Sequence, residues 1–145
     1  MDHQPVSLSI PLPRSLDTRI YLQLTVKSRA VVLFLTTASA EETGAPTPLG
    51  SFVYALPDRY NPDQPLSTPL CTVEPTIELT TRLAKLLAKK TRLPTYVGNS
   101  MSFASAGLGG TVEEEMEAFK QVAGLVLSKL QHLTNPVAAA NGTGP

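Results

Sequence analysis

Hydrophobic and polar residues alternate most regularly in the segment Ile20–Lys27, where every second side chain is aliphatic. A period of two places one set of side chains on a single face of a β-strand. After Ser28-Arg29, the segment Ala30–Leu35 is apolar without a break and rich in β-branched residues. Such a run is too short to cross a bilayer and is typical of a strand covered on both faces. The pattern predicts an antiparallel hairpin of one half-buried strand and one central strand, joined by a tight turn.

Shorter alternating segments predict further strands on both sides of this hairpin. They are Val6–Ile10, Ser51–Leu56, Leu66–Val73 and Thr95–Asn99. Pro11 and Pro13 end the first segment, because proline cannot donate to a ladder. Pro69 interrupts the third segment, which we therefore expect at a sheet edge, with Cys71 buried in it as a small hydrophobe. Loops are predicted for residues 41–50, which are rich in Gly and Pro, and for residues 57–65, which contain three prolines.

Two later segments have the period of an α-helix. The first runs from Pro75-Thr76 to about Arg92, and Pro94 stops it. Its apolar face consists of Leu79, Leu83, Leu86 and Leu87. The second begins with a Thr-x-x-Glu capping box, Thr111 to Glu114, and ends at Asn135-Pro136. Its apolar stripe consists of Met116, Phe119, Ala123, Val126, Leu130 and Leu133, and is expected in the core unless surplus length serves a partner subunit.

The order of these elements indicates the fold class. Strands that precede helices predict an α+β domain, with an antiparallel sheet of about six strands flanked by helices. We expect residues 1–135 to form one domain, because a chain of 145 residues suits a single core. Residues 136–145, rich in Ala and Gly, are expected to form a disordered tail.

Charge and cysteine content restrict the class of protein further. The 12 basic and 12 acidic residues cancel, which argues against sequence-independent binding of nucleic acid. The single Cys71 excludes an internal disulfide and fits a reducing compartment. The first residues lack the features of a secretory signal, and no apolar run reaches the length of a membrane span. We therefore expect a soluble intracellular protein of the cytoplasm.

The sequence contains few residues that could form a catalytic, metal-binding or phosphate-binding site. The only histidines are His3 near the terminus and His132 at the end of the last predicted helix, and both are expected to be solvated. Cys71 has no histidine near it in sequence, and no cysteine or histidine cluster has the spacing of metal ligands. The segment Gly107–Gly110 precedes a helix, but it lacks the lysine of a phosphate-binding loop and is followed by glutamates. We predict no catalytic, cofactor-binding or metal-binding residue.

One face of the first predicted helix is basic. Its residues are Arg82, Lys85, Lys89, Lys90 and Arg92, five of the 12 positive charges. Such a face can be solvated surface or can dock an acidic patch of another protein, and both alternatives stay open. These five residues are the protein-binding candidates of a small interaction domain.

Three blocks of sequence give a family resemblance. Residues 83–91 read Leu-Ala-Lys-Leu-Leu-Ala-Lys-Lys-Thr and lead to Tyr96-Val97, which resembles the helix-then-strand segment of the proteasome assembly chaperone 4 family. Residues 114–119, Glu-Glu-Met-Glu-Ala-Phe, resemble a signature near the end of its animal members. Arg59-Tyr60 with the later Pro65, Ser67, Thr68 and Leu70 resembles a stretch further upstream. The blocks occur in the family's order, and the chain resembles a fungal-type member.

The resemblance implies an antiparallel sheet flanked by helices and a role in assembly. Members pair with proteasome assembly chaperone 3, and the heterodimer assists formation of the alpha ring of the 20S core particle. It contacts chiefly the fifth alpha-type subunit and leaves as beta subunits arrive, with no ATP, metal or other cofactor. A small dimeric scaffold in trafficking or signalling is the alternative function, and a hydrolase that uses Cys71 or a serine is a third.

Overall fold

The protein contains six strands and two helices in the part of the chain that the structure describes. This computed structural model describes residues 4–12, 15, 17–27, 29–39, 49–103 and 110–134. In chain order the elements are β1 (Val6–Pro11), β2 (Thr18–Lys27), β3 (Ala30–Ser39), β4 (Ser51–Leu56), β5 (Leu66–Cys71), α1 (Glu74–Thr91), β6 (Thr95–Asn99) and α2 (Val112–Thr134). Every predicted strand and helix is present, within a few residues of its predicted bounds. Most of the predicted loop 41–50 and the whole predicted tail lie outside the described residues.

The six strands form one sheet in the order β1-β2-β3-β6-β4-β5. β2 and β3 form the predicted hairpin, in which Leu24 lies opposite Leu33, and Arg29 in its turn has a φ of 62°. The prediction of an antiparallel sheet holds for every pair except one, because β3 and β6 run parallel. β4, β5 and α1 intervene between these two strands, so the chain is free to return alongside β3 in the same direction.

Both helices pack on one face of the sheet, here called the inner face. The side chains that point to the helices alternate along each strand with side chains that point away from them. The sheet contributes Ile20, Leu22, Leu24, Val26, Val31, Leu33, Leu35, Val53, Ala55 and Val97 to the buried core, and the helices contribute Leu83, Ala84, Leu87, Ala88, Ala118, Val122, Ala123, Val126 and Leu130. Full burial of one such leucine or valine contributes about 1.5–3 kcal/mol. This two-layer contact is therefore the main source of stability.

A buried hydroxyl pair fixes the start of α1 on β4. Ser51 is fully buried, and its Oγ accepts hydrogen bonds from Thr76 Oγ1 at 2.8 Å and from Val73 N at 2.9 Å. The same hydroxyl donates to the Val73 carbonyl at 3.0 Å. Val73 precedes the helix and provides no side-chain cap, so Ser51 and Thr76 satisfy the polar groups at this end. The strand and the helix are thereby held in one relative position.

The predicted capping box opens α2. Glu114 N donates to Thr111 Oγ1 at 3.3 Å, and Thr111 N donates to Glu114 Oε1 at 3.1 Å. The Glu114 carboxylate also accepts a hydrogen bond from Gly110 N at 2.9 Å, and the residue is completely buried. The hydrogen bonds from the donors at the helix start offset the free-energy cost of burying this carboxylate.

Of the apolar stripe predicted for α2, Ala123, Val126 and Leu130 are confirmed in the core, and Phe119 packs against it. The prediction is wrong for Met116, and the side chain of Leu133 lies outside the described residues. The buried residues of the helix are Glu114, Ala118, Val122, Ala123, Val126 and Leu130. Met116 is 37% exposed and Phe119 is only half-buried, so the buried face begins at Glu114 instead. Val122 to Leu130 lie in the core, and this length is therefore not available to a partner. None of the described helices is long and apolar enough to span a membrane.

Two predictions about burial are wrong. β3 is not covered on both faces: Leu33 is fully buried, but its neighbour Phe34 is 39% exposed, because both helices pack on the inner face. Cys71 is exposed and not buried, because it ends the strand β5 at the edge of the sheet. The first error is informative, since an apolar strand with one uncovered side is typical of a surface that meets another chain.

Candidate interaction surfaces

The face of the sheet opposite the helices, here called the outer face, carries a row of aromatic side chains. This aromatic row consists of Phe34 on β3, Phe52 and Tyr54 on β4, and Tyr96 on β6. Ring centroids lie 6.1 Å apart for Phe34 and Phe52, 6.0 Å for Phe52 and Tyr96, and 4.6 Å for Tyr54 and Tyr96. The four rings thus form a continuous apolar band across the three central strands β3, β6 and β4.

Gly98 allows the two phenylalanine rings to approach each other. β6 separates β3 from β4, so the backbones of these two strands lie roughly 9.6 Å apart, twice the usual strand spacing. The rings of Phe34 and Phe52 lie only 6.1 Å apart and therefore lean over β6 at Gly98. A Cβ atom at Gly98 would lie 2.7 Å from Cδ1 of Phe34 and 2.8 Å from Cδ1 of Leu49, which is inside van der Waals contact. Glycine at this position keeps the band continuous.

The outer face has a hollow of about 450 Å³ beside Phe34. This outer hollow has apolar walls from Phe34, Leu49 and Tyr21, and a polar rim from Ser7, Gln23, Thr36 and Ser100. The backbone of Gly98 also lines it, so the hollow adjoins the aromatic row. Apolar walls with a few polar groups at the rim are typical of sites that hold a mostly apolar group with a polar end.

Three of the five predicted basic residues are engaged within the protein. Arg82 Nη2 lies 2.9 Å from Glu78 Oε1, and Lys89 Nζ lies 3.8 Å from Asp63 Oδ1. Arg92 Nη1 donates to the carbonyl of Pro62 at 3.4 Å. Exposed contacts of this kind contribute about 0–1 kcal/mol each, so a partner can displace them at small cost.

The remaining two basic residues, Lys85 and Lys90, are exposed and form no ion pair with a described residue. Lys85 shares a cleft of about 350 Å³ with Lys89, and the loop before β5 supplies the other wall. Asp63, Pro65, Leu66 and Leu86 line this basic cleft. Lys90 follows Lys89 by one residue and points about 100° away around the helix. The five residues therefore do not form one surface. Arg82, Lys85 and Lys89 share one side of α1 at steps of three and four, and of these Lys85 and Lys89 line the basic cleft.

Sequence reasoning missed the aromatic row. The sequence shows the alternation along β4, but hydrophobicity alone does not indicate which side of the strand faces the helices. The inner side carries Ser51, Val53 and Ala55, whereas the larger Phe52 and Tyr54 lie on the outer side. The available signal is this inversion, in which the small residues face the helices because α1 packs close to β4.

Comparisons with known proteins agree with this architecture. Residues 19–101, more than half of the chain, match the family model described as proteasome assembly chaperone 4. No curated protein matches the chain. Among solved structures, the chain is similar to a chain of the novel chaperone complex for yeast 20S proteasome assembly, with a TM-score of 0.63 and 17% identity over 88% of this chain and 97% of that chain. At that identity the likeness shows a shared fold.

The matched region includes the elements that carry the candidate surfaces. It runs from β2 to the end of β6 and contains the whole aromatic row, the basic cleft and most of the outer hollow. The family match supports a role in proteasome assembly and covers two of the three sequence blocks, residues 59–70 and 83–97. This chain belongs to the proteasome assembly chaperone 4 family.

Proposed function

We propose that this protein is one subunit of a heterodimeric chaperone that assists formation of the alpha ring of the 20S core particle. Its companion is a proteasome assembly chaperone 3-type subunit, and the pair works in the cytoplasm and the nucleus. The pair uses no ATP, metal or other cofactor and makes no covalent bond. Membership of the proteasome assembly chaperone 4 family supports the assembly role. The uncovered aromatic row is the observation that best supports pairing with a companion subunit.

The outer face fits the companion by size and composition. Six strands at about 4.8 Å spacing span roughly 24 Å, and strands of 5 to 10 residues span roughly 16–33 Å. At its upper end the resulting footprint, roughly 400–800 Å², reaches the about 800 Å² that each partner buries in a stable complex. Aromatic residues are enriched at the centre of such interfaces. Covering this face would also give β3 the two-sided burial that its apolar sequence predicts.

The basic cleft is the proposed contact with an alpha-type subunit, the fifth alpha-type subunit by family resemblance. Its two amines lie beside the exposed Leu66, which favours a partner surface that places a carboxylate next to an apolar side chain. A chaperone dimer that holds one alpha subunit in a fixed pose lowers the entropic cost of adding the neighbouring subunits. Release requires only that a later subunit overlaps the chaperone, so the affinity has to be moderate.

Copurification from cells that express the companion tests this proposal. The wild-type chain should retain the companion and alpha-type subunits, and deletion of the gene should slow the accumulation of assembled 20S particles. Phe34→Asp places a charge in the aromatic row and should release the companion, because burial of an unpaired carboxylate is costly. Val112→Asp is the matched control, since Val112 is 73% exposed on the helical layer. Companion binding at wild-type affinity by Phe34→Asp would show that the outer face is not the dimer surface.

The alternative function, a small dimeric scaffold in trafficking or signalling, makes a different prediction for the same purification. The chain would then copurify with a partner through the outer face but without alpha-type subunits. Normal proteasome assembly in cells that lack the protein would favour this alternative.

A further inference from the structure

We propose that the outer hollow receives one aromatic side chain of the companion chain, and that this residue is the anchor of the heterodimer. This inference rests on the proposed pairing through the outer face. It identifies a single position that contributes most of the affinity and specificity for the companion, as is common in protein interfaces.

The hollow exists because large and small side chains are unevenly distributed across the sheet. The register places Ser7, Gln23, Phe34, Gly98 and Phe52 side by side on five successive strands of the outer face. Phe34 and Phe52 lean together over Gly98, with ring centroids 6.1 Å apart. Phe34 therefore leans away from Gln23, and the short Ser7 fills little of the space on the other side. The result is a hollow of about 450 Å³ beside an aromatic wall.

The lining of the hollow favours an aromatic occupant with a polar end. Phe34 and Leu49 provide apolar contact, and the ring of Phe34, 39% exposed, can pair with a second ring at the usual stacking or edge-to-face distances. The amide of Gln23 and the hydroxyl of Thr36 at the rim can bond a phenol or an indole N–H. Tyrosine and tryptophan combine these two properties, and both are enriched among the residues that dominate binding energy.

A side chain of the covering protein fits this hollow better than a free small molecule does. The hollow opens on the same outer face as the aromatic row, so any chain that covers the row also closes the hollow. An unfilled hollow in the middle of that contact would forfeit dispersion contacts along its lining. The volume alone also lies in the range of small-ligand pockets, and the experiment below separates the two occupants.

The test fills the hollow from within. Gln23→Trp places an indole at the rim, and Thr25→Trp is its control, because Thr25 lies on the same strand and the same face but outside the lining. Both full-length variants are titrated with the purified companion, and thermal unfolding of each variant verifies the fold. We expect Gln23→Trp to weaken the heterodimer about 30-fold or more, the range of a hot-spot residue, and Thr25→Trp to weaken it less than about five-fold.

A double-mutant cycle identifies the occupant. A photoreactive phenylalanine analogue at position 23 is crosslinked to the companion, and the aromatic residue nearest the crosslink is changed to alanine. That change should cost about 30-fold with the wild-type chain and almost nothing further with Gln23→Trp. Additive losses, or a companion whose crosslinked segment lacks an aromatic residue, would overturn the anchor.

The outcomes separate the anchor from the proposed function. If Gln23→Trp and Thr25→Trp weaken binding equally while Phe34→Asp abolishes it, the outer face binds the companion without an anchor. If Gln23→Trp binds the companion as tightly as wild type, the hollow is unoccupied in the complex or serves a small ligand, and the inference is wrong. If neither Phe34→Asp nor Gln23→Trp has an effect, the pairing through the outer face itself fails.

Discussion

The two faces of the sheet consist of side chains from the same strands, but they differ in residue type and in exposure to water. On the inner face, small and aliphatic residues meet two helices and are almost completely removed from water. On the outer face, phenylalanine and tyrosine side chains remain partly exposed in a continuous row. The inner face stabilises the domain, whereas the outer face keeps apolar area that folding of this chain alone does not bury. The difference teaches that the larger hydrophobic residue of an alternating strand need not be the one in the core.

The adjacent residues Leu33 and Phe34 give the strongest test of this comparison. Leu33→Ala should destabilise the domain by about 2–5 kcal/mol, because it leaves a cavity at a fully buried position. Phe34→Ala should cost less, about 1–3 kcal/mol, because the ring is 39% exposed and loses only part of a full burial together with its aromatic pairing. Urea unfolding of the two variants measures both values. Equal losses would mean that the outer face contributes to the core of the isolated chain.

The buried hydroxyl of Ser51 on the inner face should also contribute to the stability of the domain. Ser51→Ala removes the hydroxyl that joins β4 to the start of α1 and leaves the Val73 N–H and the Thr76 hydroxyl with poorer partners. We expect a loss of about 1–3 kcal/mol in the free energy of unfolding, from buried groups that are no longer fully bonded. Ser7→Ala, at an exposed position of β1, is a suitable control and should change stability by no more than about 0.5 kcal/mol. A similar small change for Ser51→Ala would show that apolar packing alone positions α1.

Charge reversal in the basic cleft should act on binding and hardly on stability. The double variant Lys85→Glu/Lys89→Glu loses the exposed contact of Lys89 with Asp63, worth about 1 kcal/mol or less. It also reverses a charge in the last turn of α1, with a dipole effect of about 0.3–1 kcal/mol. Binding to the alpha-type subunit should weaken, with most of the change in the association rate and a reduced dependence on salt. Lys120→Glu/Lys129→Glu, which reverses two exposed lysines of α2, is the control. Unchanged binding to both the companion and the alpha subunit would identify the cleft as solvated surface.

The smallest effect is expected at the edge of the sheet. Cys71→Ala should change the free energy of unfolding by no more than about 0.5 kcal/mol, because the thiol is exposed. Cells that carry this variant should assemble proteasomes at the normal rate. A loss of function without a loss of stability would support the third alternative function, a hydrolase that uses the Cys71 thiol.

The sequence predicts the elements of this fold well because local signals agree with one another. Proline at positions 11, 75 and 94, the Thr111–Glu114 capping box and the period-two segments each set a boundary within a few residues. Strand order could not be predicted in this way. The parallel pairing of β3 with β6 depends on contacts between residues about 64 positions apart, such as Leu33 with Val97, which leave no local trace.

The candidate sites were less predictable than the fold. Helical spacing alone placed Lys85 and Lys89 on one face of α1, but only the loop before β5 turns this face into a cleft. The aromatic row required knowledge of which side of β4 meets α1, a decision made by tertiary packing. The unbroken apolar run of β3 predicted two covered faces, and the structure covers one. That residual mismatch is the most useful sequence signal of a partner.

The position of β6 in the sheet has a consequence for the timing of synthesis. Among the described strands, β1 to β3 are neighbours, β4 pairs with β5, and β6 joins the two groups. A ribosome makes β6 after the other described strands, so the two groups cannot join into one sheet before Thr95–Asn99 has emerged. Tyr96 and Gly98 arrive with this closing strand, and the band of rings is assembled in the same step. If the proposed companion binds this band, we expect its binding to begin only after β6 has joined the sheet.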